Sequence, residues 1–304
     1  MLRSARAHLP HRRWVYSTSR MIRILGTIFA GLLGLAFGSF LNVCLSRWPQ
    51  GESVVQPRSH CRNCDHTLAW WENVPLVSWL ALRGHCRNCN AAISWRYPLV
   101  ELSIGILWAY VAWQSYKAFF PIEFAAGMMI FMWLLVALAA LDAEHFWLPN
   151  SITLPGVVLG FVWWFVQREQ IGWALDMPAG HLADAKEAGK RVLAIAVASG
   201  LVLLIRWIYW LVRRREGIGL GDAKLMALLA AWLGLPGALL AFGVGAILGS
   251  LAALVVLAFP RLRRGSENWA ASMLPLGTFL CIGGIISSLW GQPMIAAYLR
   301  WAGI

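Results

Sequence analysis

Two aspartates at the ends of long apolar runs are the residues of this sequence best placed for acid–base chemistry. Asp142 follows 18 uncharged residues, and Asp222 stands just before another uncharged run. An acid at membrane depth is costly, so it is a functional candidate by default. Two carboxylates brought together in a low-dielectric site do not both ionise easily, so one holds a proton while the other acts as a base. Such a pair can activate water and protonate a leaving amine, as in an aspartic protease.

The residues around Asp222 support this interpretation, although alternatives stay open. Gly219 and Gly221 would let the backbone before Asp222 closely approach either a substrate strand or the helix of the other aspartate. Lys224 would lower the pKa of a neighbouring group or pair with a lipid phosphate. The alternative for both aspartates is an interfacial cap or a salt bridge. Glu144, two residues beyond Asp142, is an alternative to it.

Four cysteines form two knuckles with the spacing of a metal site, namely Cys61, Cys64, Cys86 and Cys89. Both knuckles read Cys-Arg-Asn-Cys, and 21 residues separate them. Four thiolates at this spacing can surround one zinc ion, and a site closed by four cysteines is structural. The alternatives are two disulfides or a redox pair, but disulfides need an oxidising compartment. Zinc would give this segment a fold that burial alone does not supply.

The remaining cysteines and the histidines near the knuckles have simpler interpretations. Cys44 and Cys281 lie in apolar runs and are predicted to be packing residues. The histidines flanking the knuckles are predicted to be surface residues, because four cysteines already satisfy the metal; they are His60, His66 and His85.

The composition indicates a membrane protein rather than a water-soluble one. Hydrophobic residues make up 59% of the chain and charged residues 13%, roughly half the charged fraction of a soluble domain. The net charge of +12 could suggest nucleic acid. The Lys and Arg residues, however, lie in short loops between apolar runs, where they set membrane topology. We therefore expect a lipid bilayer as partner and no nucleic acid.

The apolar runs predict an all-α polytopic protein of about eight transmembrane helices. An uncharged run of about 20 residues spans the hydrocarbon core. The predicted spans are residues 24–45, 99–120, 124–141, 152–166, 192–212, two spans within 225–259, and 273–299. The run 225–259 is divided by Gly234-Leu235-Pro236-Gly237, a sequence that breaks helices and predicts a tight hairpin.

The positive charges orient these spans. The Arg-rich segments 46–98, 206–224 and 261–264 are expected in the cytoplasm, which leaves 167–191 as the exterior loop. The basic residues 1–21 conflict with this orientation. Initiation at Met21 instead of Met1 would remove the conflict, whereas a signal peptide fits less well because the apolar run is too long. N-terminal sequencing of the purified protein would distinguish the two starts.

Several motifs together resemble the prepilin leader peptidases, which are bifunctional peptidase/N-methyltransferases of type IV pilus and type II secretion systems. The resemblance covers nearly the whole chain. It rests on these segments: Gly38-Ser39-Phe40-Leu41-Asn42-Val43, the two knuckles with Pro57-Arg58-Ser59-His60 before them, Glu72-Asn73-Val74-Pro75-Leu76, Arg96-Tyr97-Pro98-Leu99-Val100-Glu101, Asp142 followed by Leu148-Pro149-Asn150, the glycine-x-glycine-aspartate motif ending at Asp222, and Leu274-Pro275-Leu276-Gly277.

The resemblance implies cleavage of the leader peptide of prepilins and pseudopilins at the cytoplasmic face of the inner membrane. Methylation of the new N-terminal residue with S-adenosylmethionine would follow. It favours Asp142 over Glu144 as a catalytic residue, because the family aspartate stands six residues before the Leu-Pro step. It places the methyltransferase near the zinc module, with Glu72, Asn73 and Glu101 as candidates.

The implied organisation has four parts, and the chain departs from the family pattern in three places. The parts are a basic extension at 1–21, transmembrane helix 1 at 22–45, a cytoplasmic zinc module associated with the methyltransferase at 46–98, and a seven-helix peptidase domain at 99–304. Asn150 stands where an acid is frequent, and Leu276 stands where Phe is usual. The basic extension has no counterpart in the family.

Two other classes of function compete with the peptidase. A transporter could use membrane acids as proton carriers, but the aspartates stand at helix ends and no inverted repeat is detected. A non-catalytic assembly scaffold with a zinc-stapled loop would tolerate loss of both aspartates. Glu101, at the start of the second span, has the further interpretation of a negative residue at a helix N-terminus.

Overall fold

The fold is helical throughout the part of the chain that the structure, a computed structural model, describes. The described residues are 11–118, 120–174, 181–215, 219–258 and 274–303. Strand pairing in these ranges is limited to two isolated bridges, His60–Thr67 and His85–Ala92. The predicted all-α class is confirmed. The chain divides into two compact units, Met1–Met129 and Ile130–Ile304.

The first unit is built on two long helices that flank the cysteine-containing segment. Helix α1 spans His11–Arg47, the short α2 spans Val77–Ala81, and α3 spans Arg96–Ala118. Helices α1 and α3 approach closely at Gly38, where a Cβ atom would lie 2.6 Å from the Cα of Glu101. A small residue is needed at such a contact, and this packing buries Glu101 in the second turn of α3. The interpretation of Glu101 as a negative residue at a helix N-terminus is therefore wrong, because α3 begins at Arg96.

The second unit begins within α4, which spans Ile122–His145, and continues with four long helices. These are α5 at Asn150–Ala174, α6 at His181–Arg213, α7 at Leu220–Ala258 and α8 at Leu276–Ala302. The indole of Trp232 on α7 stacks on Phe131, with centroids 4.8 Å apart, and on Trp163 at 5.3 Å. Its N–H donates to the carbonyl of Gly156 at 2.9 Å. This aromatic cluster joins α4, α5 and α7.

The number of membrane-crossing helices agrees with the sequence when two features are considered. Six helices in the described ranges are long and apolar enough to cross a membrane. Helix α3, which contains the predicted second span, is 23 residues long but is not among the six. Helix α7 is 39 residues long and contains the predicted pair of spans. Counting α3 once and α7 twice gives the expected eight.

Helix α7 is interrupted at Gly234, within the predicted helix-breaking sequence. Gly234 has φ 73° and ψ 178°, which are not helical angles. Near this break, the guanidinium of Arg191 on α6 donates to the Ala230 carbonyl at 3.2 Å and stacks on Trp164 at 5.1 Å from the ring centroid. Arg191 therefore satisfies a carbonyl near the break and ties α6 to α7.

We expect Gly234→Ala to destabilise the protein by about 1–3 kcal/mol, because only glycine adopts these backbone angles readily. An added Cβ would also lie 3.2 Å from Nη1 of Arg191. The matched control is Gly243→Ala on the same helix, where a Cβ would meet nothing within 4 Å. Thermal unfolding in detergent measures both. Equal unfolding temperatures for Gly234→Ala and the wild type would contradict the role assigned to the break.

Several predicted boundaries differ from the structure or lie outside the described residues. Helix α1 begins at His11 and so includes part of the predicted extension, of which residues 1–10 are not described. The predicted exterior loop 167–191 is shorter than expected, since α5 and α6 extend into it and only 175–180 lies outside the description. Residues 259–273, with the predicted basic segment 261–264, also lie outside it. The loop boundary is wrong because a lack of apolar residues does not end a helix: the i,i+3 pair Glu187–Lys190, at 2.6 Å, lies within α6.

Candidate active site

The two predicted aspartates line the same cavity. Its volume is about 540 Å³, and it lies where α4 ends and α7 begins. Both side chains are buried, with Asp142 6% and Asp222 7% exposed. The other lining residues are Phe146, Trp147, Leu148, Pro149, Asn150, Ser151, Gly219, Leu220, Gly221 and Lys224. Two carboxyl groups buried beside one cavity are in a setting where they can share a proton.

Asp142 is held by the first turn of α8. Its Oδ2 accepts the backbone N–H of Thr278 at 2.7 Å and the hydroxyl of the same residue at 3.1 Å. Gly277 lies against the carboxyl group, since a Cβ there would be 2.9 Å from both Cγ and Oδ2 of Asp142. Thr278 therefore binds the carboxyl group through Oδ2, and the backbone of Gly277 is a further hydrogen-bond partner of this group.

Asp222 lies in the first turn of α7, where a negative side chain is favourable. Its Oδ2 accepts the backbone N–H of Gly219 at 3.2 Å. A Cβ at Gly221 would lie 3.0 Å from the Cβ of Leu148, in the segment that follows the Asp142 helix. Gly221 thus allows the start of α7 to approach that segment closely.

Lys224 and Asn150 meet at the edge of the cavity. The ammonium of Lys224 donates to the side-chain carbonyl of Asn150. The amide oxygen of Asn150 thus supplies an acceptor at a position where the resemblance implies a frequent acid.

The four knuckle cysteines cluster as their spacing predicts. Their sulfur atoms all lie within 4.8 Å of one another, and the sulfurs of Cys61 and Cys89 are 3.8 Å apart. Four thiolates bound tetrahedrally at the usual zinc–sulfur distance are separated by about 3.8 Å. None of the six cysteines, all of which lie in described residues, forms a disulfide. The donor set and its geometry fit a single zinc ion.

The two knuckles repeat the same local structure. The N–H of Asp65 donates to the carbonyl of Cys61, and the N–H of Asn90 donates to that of Cys86, both at 2.9 Å. Asp65 and Asn90 have positive φ values of 54° and 56°, which acidic and amide side chains tolerate. The conformation of each loop therefore follows from its own short sequence.

Hydrogen bonds across the cluster change how its thiols titrate. The side-chain amide of Asn63 donates to the sulfur of Cys89 at 3.5 Å and lowers the pKa of that thiol to about 6. For Cys61, the backbone N–H of Asn63 lowers the pKa, but desolvation and the neighbouring thiols outweigh it and raise the value to about 11. The two pKa values differ because the side-chain amide of Asn63 donates to Cys89, whereas desolvation and the neighbouring thiols dominate at Cys61.

The methyltransferase candidates have separate positions in the first unit. Glu72 is buried, and its Oε2 accepts the N–H of Ala69 at 2.8 Å and contacts Nε2 of His66 at 3.2 Å. These partners, the Ala69 N–H first, lower the pKa of Glu72. Glu101 is also buried, and its Oε2 accepts the N–H of Leu76 at 2.8 Å. The two carboxylates hold the ends of segment 69–76, and Asn73 lies exposed between them.

Other sequence candidates neither line the aspartate cavity nor belong to the cysteine cluster, and one residue that contacts Asp142 was not predicted from the sequence. Glu144 is exposed and forms a 3.8 Å pair with His145. The buried Cys44 and Cys281 pack in helices, as predicted. Thr278 gave no sequence signal, because its contact joins residues 136 positions apart.

Comparison with known proteins matches both halves of the chain to models of one peptidase family. Residues 32–115 match the bacterial peptidase A24 N-terminal domain. Residues 129–254 match the type IV leader peptidase family. No solved structure matched the chain.

Curated relatives extend the match over most of the chain. A prepilin leader peptidase/N-methyltransferase of Stutzerimonas stutzeri is 34% identical over 89% of this chain and 93% of its own length. The protein of the same description from Pseudomonas aeruginosa is 33% identical over 90% of this chain and 93% of its own. That of Myxococcus xanthus is 38% identical over 83% and 71%, respectively. The chain, a multi-pass membrane protein with a buried aspartate pair and a four-cysteine cluster, belongs to the type IV leader peptidase family.

Proposed function

We propose that this protein cleaves the leader peptide from type IV prepilins and pseudopilins and then methylates the new N-terminal residue. Asp142 and Asp222 are the catalytic residues of the cleavage. The protein acts at the cytoplasmic face of the inner membrane and serves pilus assembly or type II secretion. The names and the extent of similarity of its relatives support this assignment.

One observation carries the peptidase proposal: two buried carboxyl groups face a single cavity large enough for a few residues of an extended peptide. Burying an acid in a membrane protein costs free energy, so a buried acid is a functional candidate by default. The cavity wall combines these acids with the exposed apolar side chains of Phe146 and Leu220. A peptide segment with small or apolar residues at the cleavage site is the substrate that fits such a wall.

The chemistry requires only the shared proton and a water molecule. The ionised aspartate takes a proton from water, and the oxygen attacks the scissile carbonyl carbon. The protonated aspartate hydrogen-bonds to the developing oxyanion. The aspartate that took the proton from water donates it to the departing nitrogen, so the C–N bond breaks and an amine leaves. The other aspartate keeps its proton, so the pair is again singly protonated and ready for another cycle.

The methyl transfer is assigned to the first unit. S-adenosylmethionine supplies the methyl group, and its sulfonium and ammonium cations are complementary to buried carboxylates. Glu72 and Glu101 are the carboxylates available there, and Asn73 lies on the exposed segment between them. A zinc ion on the four cysteines would hold the surrounding segment in place and takes no part in the methyl transfer.

The position of the aspartates favours a peptidase over the transporter alternative. Asp142 is in the last turn of α4, and Asp222 is in the first turn of α7. Proton carriers in transporters lie near the bilayer midplane, where the pathway opens to each side in turn. Acids at helix ends beside a cavity are better placed to meet a peptide at the membrane surface.

Co-expression with a type IV prepilin, in a host that lacks its own prepilin peptidase, tests the proposal. We expect the prepilin to lose its leader and to gain a methyl group at the new N-terminus. Uncleaved prepilin in the presence of stable, inserted protein would contradict the proposal. Proton flux in proteoliposomes without cleavage would favour the transporter.

The rate of cleavage should depend on pH as a bell-shaped curve. A pair that shares one proton works only when it is singly protonated. Activity therefore falls at both lower and higher pH, and the two limbs report two macroscopic pKa values that belong to the pair. Initial rates on a purified prepilin across pH measure the curve. A profile with a single limb would contradict the shared proton. A stability profile recorded over the same range separates titration of the pair from unfolding.

A further inference from the structure

The N-terminus of α8 lacks a capping side chain of its own. The residue at its N-cap position is Pro275, which makes no side-chain cap hydrogen bond. The first N–H groups of a helix have no partners within the helix. At this end, the N–H of Thr278 instead donates to Oδ2 of Asp142 on α4, at 2.7 Å. A carboxylate at this position is favoured by the helix dipole as well as by the hydrogen bond.

The hydroxyl of Thr278 has two acceptors at nearly equal distances. Its oxygen is 3.1 Å from Oδ2 of Asp142 and 3.0 Å from the carbonyl oxygen of Ala139. A hydroxyl carries one proton and can rotate to serve either acceptor. It can donate to Asp142 while that residue is ionised and to Ala139 when Asp142 holds a proton.

We propose that Thr278 is a positioning residue for the peptidase reaction, an inference that rests on the proposed function. Its N–H and hydroxyl hold Oδ2 of Asp142 against α8. The other oxygen, Oδ1, is thereby assigned to the cavity, where it exchanges the proton with water and with the leaving nitrogen. The hydroxyl rotates between its two acceptors as Asp142 gains and loses charge.

The packing around Asp142 gives this arrangement little freedom. A Cβ atom at Gly277 would approach Oδ2 of Asp142 to 2.9 Å and Cδ1 of Leu148 to 3.0 Å. The carboxyl group therefore has backbone on one side and the cavity on the other. A rotation that released Oδ2 would leave the N–H of Thr278 without its acceptor, which is costly in a partly buried place.

The test compares Thr278→Val, Thr278→Ser and Ser287→Ala with the wild type. Valine has the shape of threonine without the hydroxyl, and serine keeps the hydroxyl. Ser287 is the matched control. Its hydroxyl, also on α8, donates to a backbone carbonyl of another helix, that of Gly237 on α7 at 2.8 Å, and makes no hydrogen bond to Asp142 in the part of the chain that the structure describes. Each purified variant is assayed for kcat and KM on a purified type IV prepilin, and for its unfolding temperature.

We expect Thr278→Val to lower kcat by roughly tenfold, the effect of losing one hydrogen bond to a charged group. Its KM should stay within about twofold, because the hydroxyl acts through Asp142 and not on the peptide. Thr278→Ser should restore kcat to within about twofold, and Ser287→Ala should leave it unchanged. If Thr278→Val is not recovered folded, Thr278→Ala is measured in the same way.

Three results would overturn the inference. The first is a wild-type kcat in Thr278→Val, and the second is a raised KM with an unchanged kcat, which would make Thr278 a peptide contact. The third is a loss of kcat in Thr278→Ser equal to that in Thr278→Val, which would mean that the hydroxyl does not contribute to the reaction. In each case, loss of cleavage in Asp142→Asn would leave the proposed function standing. A wild-type protein that does not cleave prepilin would overturn both.

Discussion

Asp142→Asn and Asp222→Asn are each expected to reduce prepilin cleavage by about a thousandfold or more. An amide does not take a proton from water, and it does not hold the proton that the pair shares. Either substitution therefore removes the base or the acid, and the remaining carboxyl group does not replace it. Because the side chains line a cavity and are nearly isosteric with asparagine, both variants should insert and unfold at about the wild-type temperature.

The matched control for these variants is Glu144→Gln. It removes a carboxylate two residues from Asp142 that is exposed and pairs with His145. Initial rates of leader release, measured on gels with purified proteins, compare all four. Cleavage at the wild-type rate by either aspartate variant would refute the catalytic pair. A comparable loss in Glu144→Gln would mean that charge near the end of α4, rather than the pair, controls activity.

Cys64→Ser is expected to remove zinc from the protein and to unfold the segment around the knuckles. Between residues 51 and 95, Cys86 is the only apolar side chain other than glycine that is buried, so burial contributes little to this segment. Zinc binding to such sites is worth about 10–16 kcal/mol in isolated zinc fingers. Losing it should convert residues 51–95 into a protease-sensitive loop and abolish methylation.

Cleavage by Cys64→Ser should continue at a substantial rate, because the residues lining the peptidase cavity all lie between 142 and 224. Metal analysis, limited proteolysis and the methyl content of processed pilin measure the three effects. Cys44→Ala is the control, since this buried cysteine is not in the cluster, and it should retain zinc. Full metal content in Cys64→Ser, or methylation without metal, would contradict the structural role assigned to zinc.

The sequence predicts the aspartates that share the cavity and the cysteines that cluster, because their signals are local. A charge is conspicuous beside 18 uncharged residues, so Asp142 and Asp222 can be identified from hydropathy alone. The knuckles repeat a four-residue sequence at a fixed separation, and two tight turns place all four sulfur atoms. The break in α7 is also local, since Gly234 and Pro236 each oppose a helix.

What the sequence does not predict depends on contacts between distant parts of the chain. The bond of Thr278 to Asp142 and the bond of Lys224 to Asn150 each join residues more than 70 positions apart. Their side chains are common types at unremarkable positions, so no pattern marks them. The extent of α5 and α6 was missed for a related reason: hydropathy reports where a helix meets lipid, not where it ends. The buried state of Glu72 depends on the fold of its segment, which hydropathy does not describe.

The most direct test of the central claim is the intact mass of a prepilin incubated with S-adenosylmethionine and membranes that carry the wild type or Asp222→Asn. We predict that the wild type yields pilin without its leader and with one added methyl group. Asp222→Asn should leave the prepilin at its full mass. Full-length prepilin with both proteins, or processed pilin with both, would contradict the account of Asp142 and Asp222 as the pair that cleaves the leader.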